Sequence, residues 1–351
     1  MPLPGPCVVL RRRSWPRSAS EAATSAGYRT RYTQSTDPER QPPARVTCSR
    51  AGGIIAAVSR VQDVLTVGPQ ELIDRLLPGA RVTACEPLTG GVSAEVLAVT
   101  VRPPSGPVER LVIRRHRDID GKTDRRDRAA REHALLVHLH ATGAPVPQPR
   151  LFVAPDTLIQ ERIEGSTALP DDAAKLMAQA LATIHATDPT GLPPLPVCDD
   201  PSAGIHKWLP ERADLAAVLA GIEPYTGSPV LLHGDFWPGN LLWRDGRLAA
   251  VLDWEDAAIG DPLVDVACAR VEIACAAGDA MAETFSRVYL ELTHADDARL
   301  PAWDLYVSSA ALHYMDAWGL APDALAARKA TTRARQAAAM AALGLAPRSS
   351  D

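Results

Sequence analysis

Asp245-Gly246, set between two short apolar runs, Leu241 to Trp243 and Leu248 to Leu252, constrains this chain more than any other pair. Gly246 tolerates the positive φ that a tight two-residue turn demands, so the runs read as the two arms of a β-hairpin. Polar residues sit just outside both arms. Asn240 precedes the first and Asp253 follows the second, and closing the turn brings them side by side. Asn240 comes five positions after Asp235, in the string His233-Gly234-Asp235-Phe236-Trp237-Pro238-Gly239-Asn240.

An amide oxygen beside a carboxylate oxygen suits Mg²⁺, which keeps its other positions for water and substrate phosphates. Asp235, on the loop just upstream, can accept the proton of an attacking hydroxyl. His-x-Asp, an Asn five residues after the Asp, a hairpin and then a second Asp is the catalytic-loop arrangement of protein kinases, whose last Asp belongs to Asp-Phe-Gly. Here that triplet is Asp253-Trp254-Glu255. The strings HGDFWPGN and VLDWEDAAIGDP resemble the aminoglycoside phosphotransferase and choline kinase-like family, small-molecule kinases that share the protein-kinase fold. The resemblance implies an α+β, two-lobed protein-kinase-like fold. A small antiparallel sheet with a helix would bind the nucleotide, and a larger, mainly helical lobe would carry the chemistry. It also implies ATP or GTP and Mg²⁺ as cofactors and transfer of the γ-phosphate to a hydroxyl of a small molecule. Asp235, Asn240 and Asp253 are then the catalytic residues, with Asn240 and Asp253 as metal ligands.

Other residues of the stretch take supporting roles in this reading. His233 braces the loop, and Asp265 holds it from below. Asp261, before Pro262, is a helix N-cap candidate. Trp237 stands where Ser/Thr protein kinases carry a phosphate-contacting Lys, and no Ala-Pro-Glu string follows; both argue against a protein substrate.

Upstream, a helix pattern runs from Val61 to Leu77, followed by strands at Arg81 to Pro87, Ala94 to Val101 and Arg110 to Arg115. Thr89-Gly90-Gly91-Val92-Ser93 links the first two strands. Gly90, Gly91 and Ser93 suit a turn whose amides approach phosphates, and they equally suit an ordinary hairpin turn. The resemblance puts Arg114 in the place of the strand Lys that binds the α- and β-phosphates. Glu132, in a helix over 125–142, is its ion-pair partner. Strands at Leu151 to Val153 and Leu158 to Ile163 lead into the expected hinge, where the Glu161 carbonyl and the Ile163 amide would bind adenine with Gln160 behind it. The expected organisation is an extension over 1–60, a nucleotide-binding lobe over 61–163 and a catalytic lobe over 164–345.

Downstream, helices are expected over 171–187, 208–221, 262–277, 279–293, 301–317 and 323–343. Candidates for meeting a cationic acceptor are Glu255, Asp256, Glu272, Asp279 and Asp316. Trp303, Tyr306, Tyr314 and Trp318 could line its pocket or pack in the core. Residues 1–50 hold nine Arg against three acidic residues, a net +6 that leaves −11 for the rest of a chain whose total is −5. An acidic body argues against nucleic acid as the main partner and suits a cationic small-molecule alcohol. Residues 1–60, rich in Pro, Ser, Thr and Arg, read as disordered. Six cysteines without Cys-x-x-Cys spacing point to free thiols and a cytoplasmic setting. No apolar run reaches the roughly 18 residues of a membrane span, and a monomer or a homodimer is expected. Two rival readings stay open: a nucleotide-binding pseudokinase-type protein without catalysis, and a metal-dependent hydrolase using His233, Asp235 and Asp253.

Overall fold

The computed structural model describes residues 67–88, 94–117 and 125–345. The expected extension over 1–60 and the turn residues Gly90, Gly91 and Ser93 lie outside them. The described chain opens with helix α1 (Pro69–Leu76) and strands β1 (Arg81–Pro87), β2 (Ala94–Arg102) and β3 (Glu109–His116). Helix α2 (Arg125–Ala141), β4 (Pro149–Val153) and β5 (Thr157–Glu161) follow. The five strands form one antiparallel sheet in the order β1-β2-β3-β5-β4. Alternation along β2 and β3 sends Val99, Val101, Leu111 and Ile113 to one face, where they pack with Leu72 and Ile73 of α1 and Ile159 of β5. On α2, Ala129, Leu135, Leu136 and Leu139 recur at helical spacing and join the core of the larger lobe.

The second part contains α3 (Ala173–His185), β6 (Val197–Cys198), α4 (Pro201–Trp208), α5 (Ala213–Leu219), β7 (Val230–Leu232), β8 (Leu241–Arg244), β9 (Arg247–Val251) and β10 (Ala258–Gly260). The chain ends in α6 (Leu263–Ala277), α7 (Asp279–Thr293), α8 (Leu300–Tyr314) and α9 (Pro322–Ala342). Helix α6 is apolar nearly all round, with Leu263, Val264, Val266, Ala267, Cys268, Val271 and Ile273 all buried, which marks it as the centre of this lobe.

One expectation needs correction, and one stretch for which no element was expected takes structure. The single helix over 208–221 is instead a pair, α4 ending at Trp208 and α5 starting at Ala213, and Pro201 in the first turn of α4 moves helix into what reads as loop. The Pro-rich stretch 189–201 also yields β6, which pairs in parallel with β10. That pairing depends on Gly260, because a Cβ there would lie 1.8 Å from the Cys198 carbonyl oxygen. Among the described residues, no helix is long and apolar enough to cross a membrane, and Cys85, Cys198, Cys268 and Cys275 are free.

Candidate active site

The hairpin sets the geometry. Asp245 and Gly246 both have positive φ, 52° and 70°, and the turn closes β8 on β9. Leu252 N–H then donates to the Asn240 carbonyl at 2.8 Å, which brings Asp253 beside the end of the loop 233–240. Asp253 is itself left-handed, at φ 66°, a conformation that Asp tolerates better than most residues and that turns its side chain out of the strand direction.

Upstream of the hairpin, the loop 233–240 is fixed from inside the lobe. Asp265, in the first turn of α6 and fully buried, accepts from the His233 amide at 2.7 Å and from the Gly234 amide at 2.9 Å. The same carboxylate lies 3.2 Å from His185 Nε2, and His185 Nδ1 lies 2.6 Å from the Tyr289 hydroxyl. The His233 ring takes one orientation. The Asp235 amide donates to its Nδ1 at 3.2 Å, and its Nε2 lies 3.0 Å from the Leu252 carbonyl, so a proton on Nε2 satisfies both contacts. With no solvent exposure and both nitrogens engaged by the backbone, His233 ties the loop to the strand that delivers Asp253.

Asn240 Nδ2 donates to Asp235 twice, to the backbone carbonyl at 2.9 Å and to Oδ2 at 3.0 Å. Committing the amide nitrogen in this way turns the amide oxygen the other way, leaving it available as a metal ligand. The amide and the carboxylate of Asp253 form the hard oxygen pair that Mg²⁺ takes, so the residues present fit the ion.

Across the cleft, Arg114 on β3 meets this group directly. Its guanidinium lies 2.7 Å from Glu132 on α2, 2.8 Å from Asp253 and 3.8 Å from Glu255. Burial works against the charge, but the Glu132, Asp253 and Glu255 carboxylates outweigh it and raise the Arg114 pKa further, so the cation is permanent. Glu132 is buried too, which favours its neutral form, yet Arg114 wins and lowers its pKa. Gln160 is buried on β5, Glu161 is the exposed last residue of that strand, and Ile163 lies in the segment that follows. The Glu161 amide donates to the Gln148 carbonyl at 2.9 Å and the Arg162 amide to the Arg110 carbonyl at 3.0 Å.

The acidic residues expected to greet a cationic acceptor are otherwise engaged. Glu272 pairs with Arg328, Asp279 with Arg335 at 2.9 Å, Asp316 with Lys329 at 2.5 Å, and Glu255 with His116 at 3.1 Å; Asp256 is half-buried. Trp303, Tyr306 and Trp318 are core residues, and Tyr314 donates from its hydroxyl to the Trp208 carbonyl. Asp261 accepts the Leu263 amide at 3.0 Å, as a capping residue does, and also holds Trp303 Nε1 at 2.6 Å and Arg299 Nε at 2.9 Å. Sequence reasoning missed His116 and the place of Glu255 in the cleft. The available signal was period: His116 is two residues from Arg114 on one strand, hence on the same face.

The profile of the phosphotransferase enzyme family matches residues 84–304, more than half the chain. The chain belongs to that family. An alignment 172 positions long is 29% identical to acyl-CoA dehydrogenase family member 11 of Gallus gallus and covers 40% of this chain and 22% of that protein. The chain therefore spans about a fifth of the length of this curated relative. Among solved structures, macrolide 2′-phosphotransferase MphH of Brachybacterium faecium is 24% identical, with a TM-score of 0.53 over 80% of this chain and 99% of that one. The choline kinase LicA of Streptococcus pneumoniae is 19% identical, with a TM-score of 0.55 over 77% and 97%. At these identities the two structures establish the fold: a protein-kinase-like α+β architecture with a sheet lobe and a helical lobe.

Proposed function

We propose that this member of the phosphotransferase enzyme family transfers the γ-phosphoryl group of ATP to a hydroxyl of a small molecule, with Mg²⁺. The observation that carries the reading is the meeting of Arg114, Asp253, Asn240 and Asp235, from both lobes, around one cleft. Phosphoryl transfer asks little covalent chemistry of the protein; positioning and charge stabilisation supply most of the rate. Arg114 is the cation for the α- and β-phosphates, and Glu132 keeps it aimed. Its planar fork can grip two phosphate oxygens at once, unlike the point charge of Lys. Asp235 orients the acceptor hydroxyl and takes its proton, and Asn240 fixes the Asp235 carboxylate for that task. Asn240 and Asp253 would hold Mg²⁺, which supplies charge neutralisation on the phosphates. Gly90, Gly91 and Ser93 are proposed to cover the phosphates, and Gln160, Glu161 and Ile163 to frame the adenine. The bounds 61–163 and 164–345 for the two lobes belong to the same proposal.

The choice of acceptor is open to a small alcohol without a strong cationic requirement, because four of the five acidic side chains considered for that role already have cationic partners. The test is Asp235→Ala, assayed by ADP release across a panel of aminoglycosides, macrolides, amino alcohols and sugars. Turnover on any acceptor the unmodified protein uses should fall by roughly 10²–10⁴-fold, while ADP binding stays within about twofold. Near-normal turnover would remove Asp235 from the mechanism.

A further inference from the structure

The cleft contains a second basic side chain that the phosphotransferase reading does not use. His116, at the end of β3, is buried, and its two ring nitrogens face two different carboxylates. Nε2 is 2.9 Å from Glu132 Oε2 and Nδ1 is 3.1 Å from Glu255 Oε2. Glu132 belongs to α2 in the sheet lobe; Glu255 belongs to the Asp253-Trp254-Glu255 segment of the helical lobe. We propose that His116 is a positioning residue for phosphoryl transfer, an imidazolium staple that joins the α2 ion pair to the segment carrying Asp253 and thereby sets the separation of Arg114 from the metal ligand.

The geometry favours a proton-bearing bridge over a metal. His116, Glu132 and Glu255 are close enough together to suggest an ion. However, an ion would take only one ring nitrogen and leave the other beside a carboxylate, and both carboxylates already lie within reach of the Arg114 guanidinium. Two buried carboxylates 2.9 and 3.1 Å from the two nitrogens are at ion-pair distance from the ring, which a positive charge on it would balance. The charged groups facing the ring are Glu132 from α2, Glu255 from the segment after β9, and Arg114 from its own strand; the backbone amide of His116 is tied to the Asp156 carbonyl. Burial disfavours the imidazolium and Arg114 repels it, but the close Glu132 and Glu255 carboxylates outweigh both and raise the pKa to about 9. A histidine raised in this way contributes its full stabilisation below its ordinary pKa, near 6.5, and loses it as pH climbs through about 9. The staple is therefore closed at neutral pH and opens on the alkaline side.

The proposal rests on the phosphotransferase reading for its purpose, and its first test does not require turnover. In the full chain, the imidazole ¹⁵N resonances lost on His116→Gln identify this ring. Both nitrogens should be protonated at pH 7.5 and titrate near 9, and in Glu255→Gln the titration should move down by at least tenfold in proton affinity. A neutral ring at pH 7.5, or a titration unmoved by Glu255→Gln, overturns the staple whether or not the protein is a kinase. The second test is the Mg²⁺ dependence of ADP binding. With folding of His116→Gln checked by circular dichroism, its Mg²⁺ midpoint should rise about tenfold or more, the size expected when a group supporting a ligand is lost, with metal-free ADP binding unchanged. An unshifted midpoint overturns the positioning role. Failure of the unmodified protein to bind ADP at all would count against the phosphotransferase reading, and the ring measurements would still decide the staple.

Discussion

The two halves of the cleft are held by different forces. On the sheet side, Arg114, His116 and Glu132 are fixed by charge: every strong contact they make in the cleft is an ion pair inside the protein. On the helical side, the loop from His233 to Asn240 is fixed mainly by hydrogen bonds between side chains and backbone, with Asp265 and His233 holding amides and a carbonyl. The cores differ in the same sense. The sheet lobe has a small apolar cluster and a largely exposed edge strand β1, whereas the helical lobe has an extended core around α6. The small core gives the sheet side little apolar packing to fix it, so ion pairs across the cleft contribute more there. Under the proposed phosphotransferase reading, such pairs can also exchange partners when a nucleotide brings its own charges.

Arg114→Ala gives the sharpest test of this contrast, because it strands buried Glu132 without its guanidinium. The expected cost is about 3–5 kcal/mol of unfolding free energy, seen as a lower urea midpoint. Asp265→Asn should cost less, about 2 kcal/mol, since the amide oxygen can still accept one of the two loop N–H groups. Equal or reversed losses in the two variants would break the distinction between a charge-held side and a backbone-held side. The smallest effect is expected from Glu164→Gln. Its pair with Arg110 sits on the surface, with side chains 53% and 59% exposed, and removing it should change stability by under about 1 kcal/mol and lose even that in high salt. A larger loss would mean that the segment joining the lobes is tighter than its exposure indicates.

Much of the fold was legible in order along the chain. The strand, helix and hairpin pattern from Arg81 to Ala141, and the helices after Pro262, follow local periodicity and local stop signals, and they formed close to where that periodicity puts them, the largest difference being the helix expected to 317 that ends at Tyr314. The stretch 189–221 was not legible. Its two-residue strand β6 exists because β10 lies beside it, and a helix as short as α4 carries too few turns to show a period. The candidate site divides in the same way. Asp235, Asn240 and Asp253 were readable because a tight turn enforces their proximity within twenty residues. The pairings of the acidic helix residues were unreadable: Glu272 reaches Arg328 and Asp279 reaches Arg335, each 56 positions away.

The sequence alone determined which chemical groups stand at each end of the hairpin, because turn sterics act over a few residues, and the family resemblance it carries implied the pairing of Arg114 with Glu132. Only the tertiary structure decided that His116 lies beside Glu132 and Glu255 at once, and that Glu272, Asp279 and Asp316 have cationic partners. The first outcome depends on which charges are desolvated together and the second on which helices pack side by side, and both are properties of the packed molecule rather than of any stretch of chain.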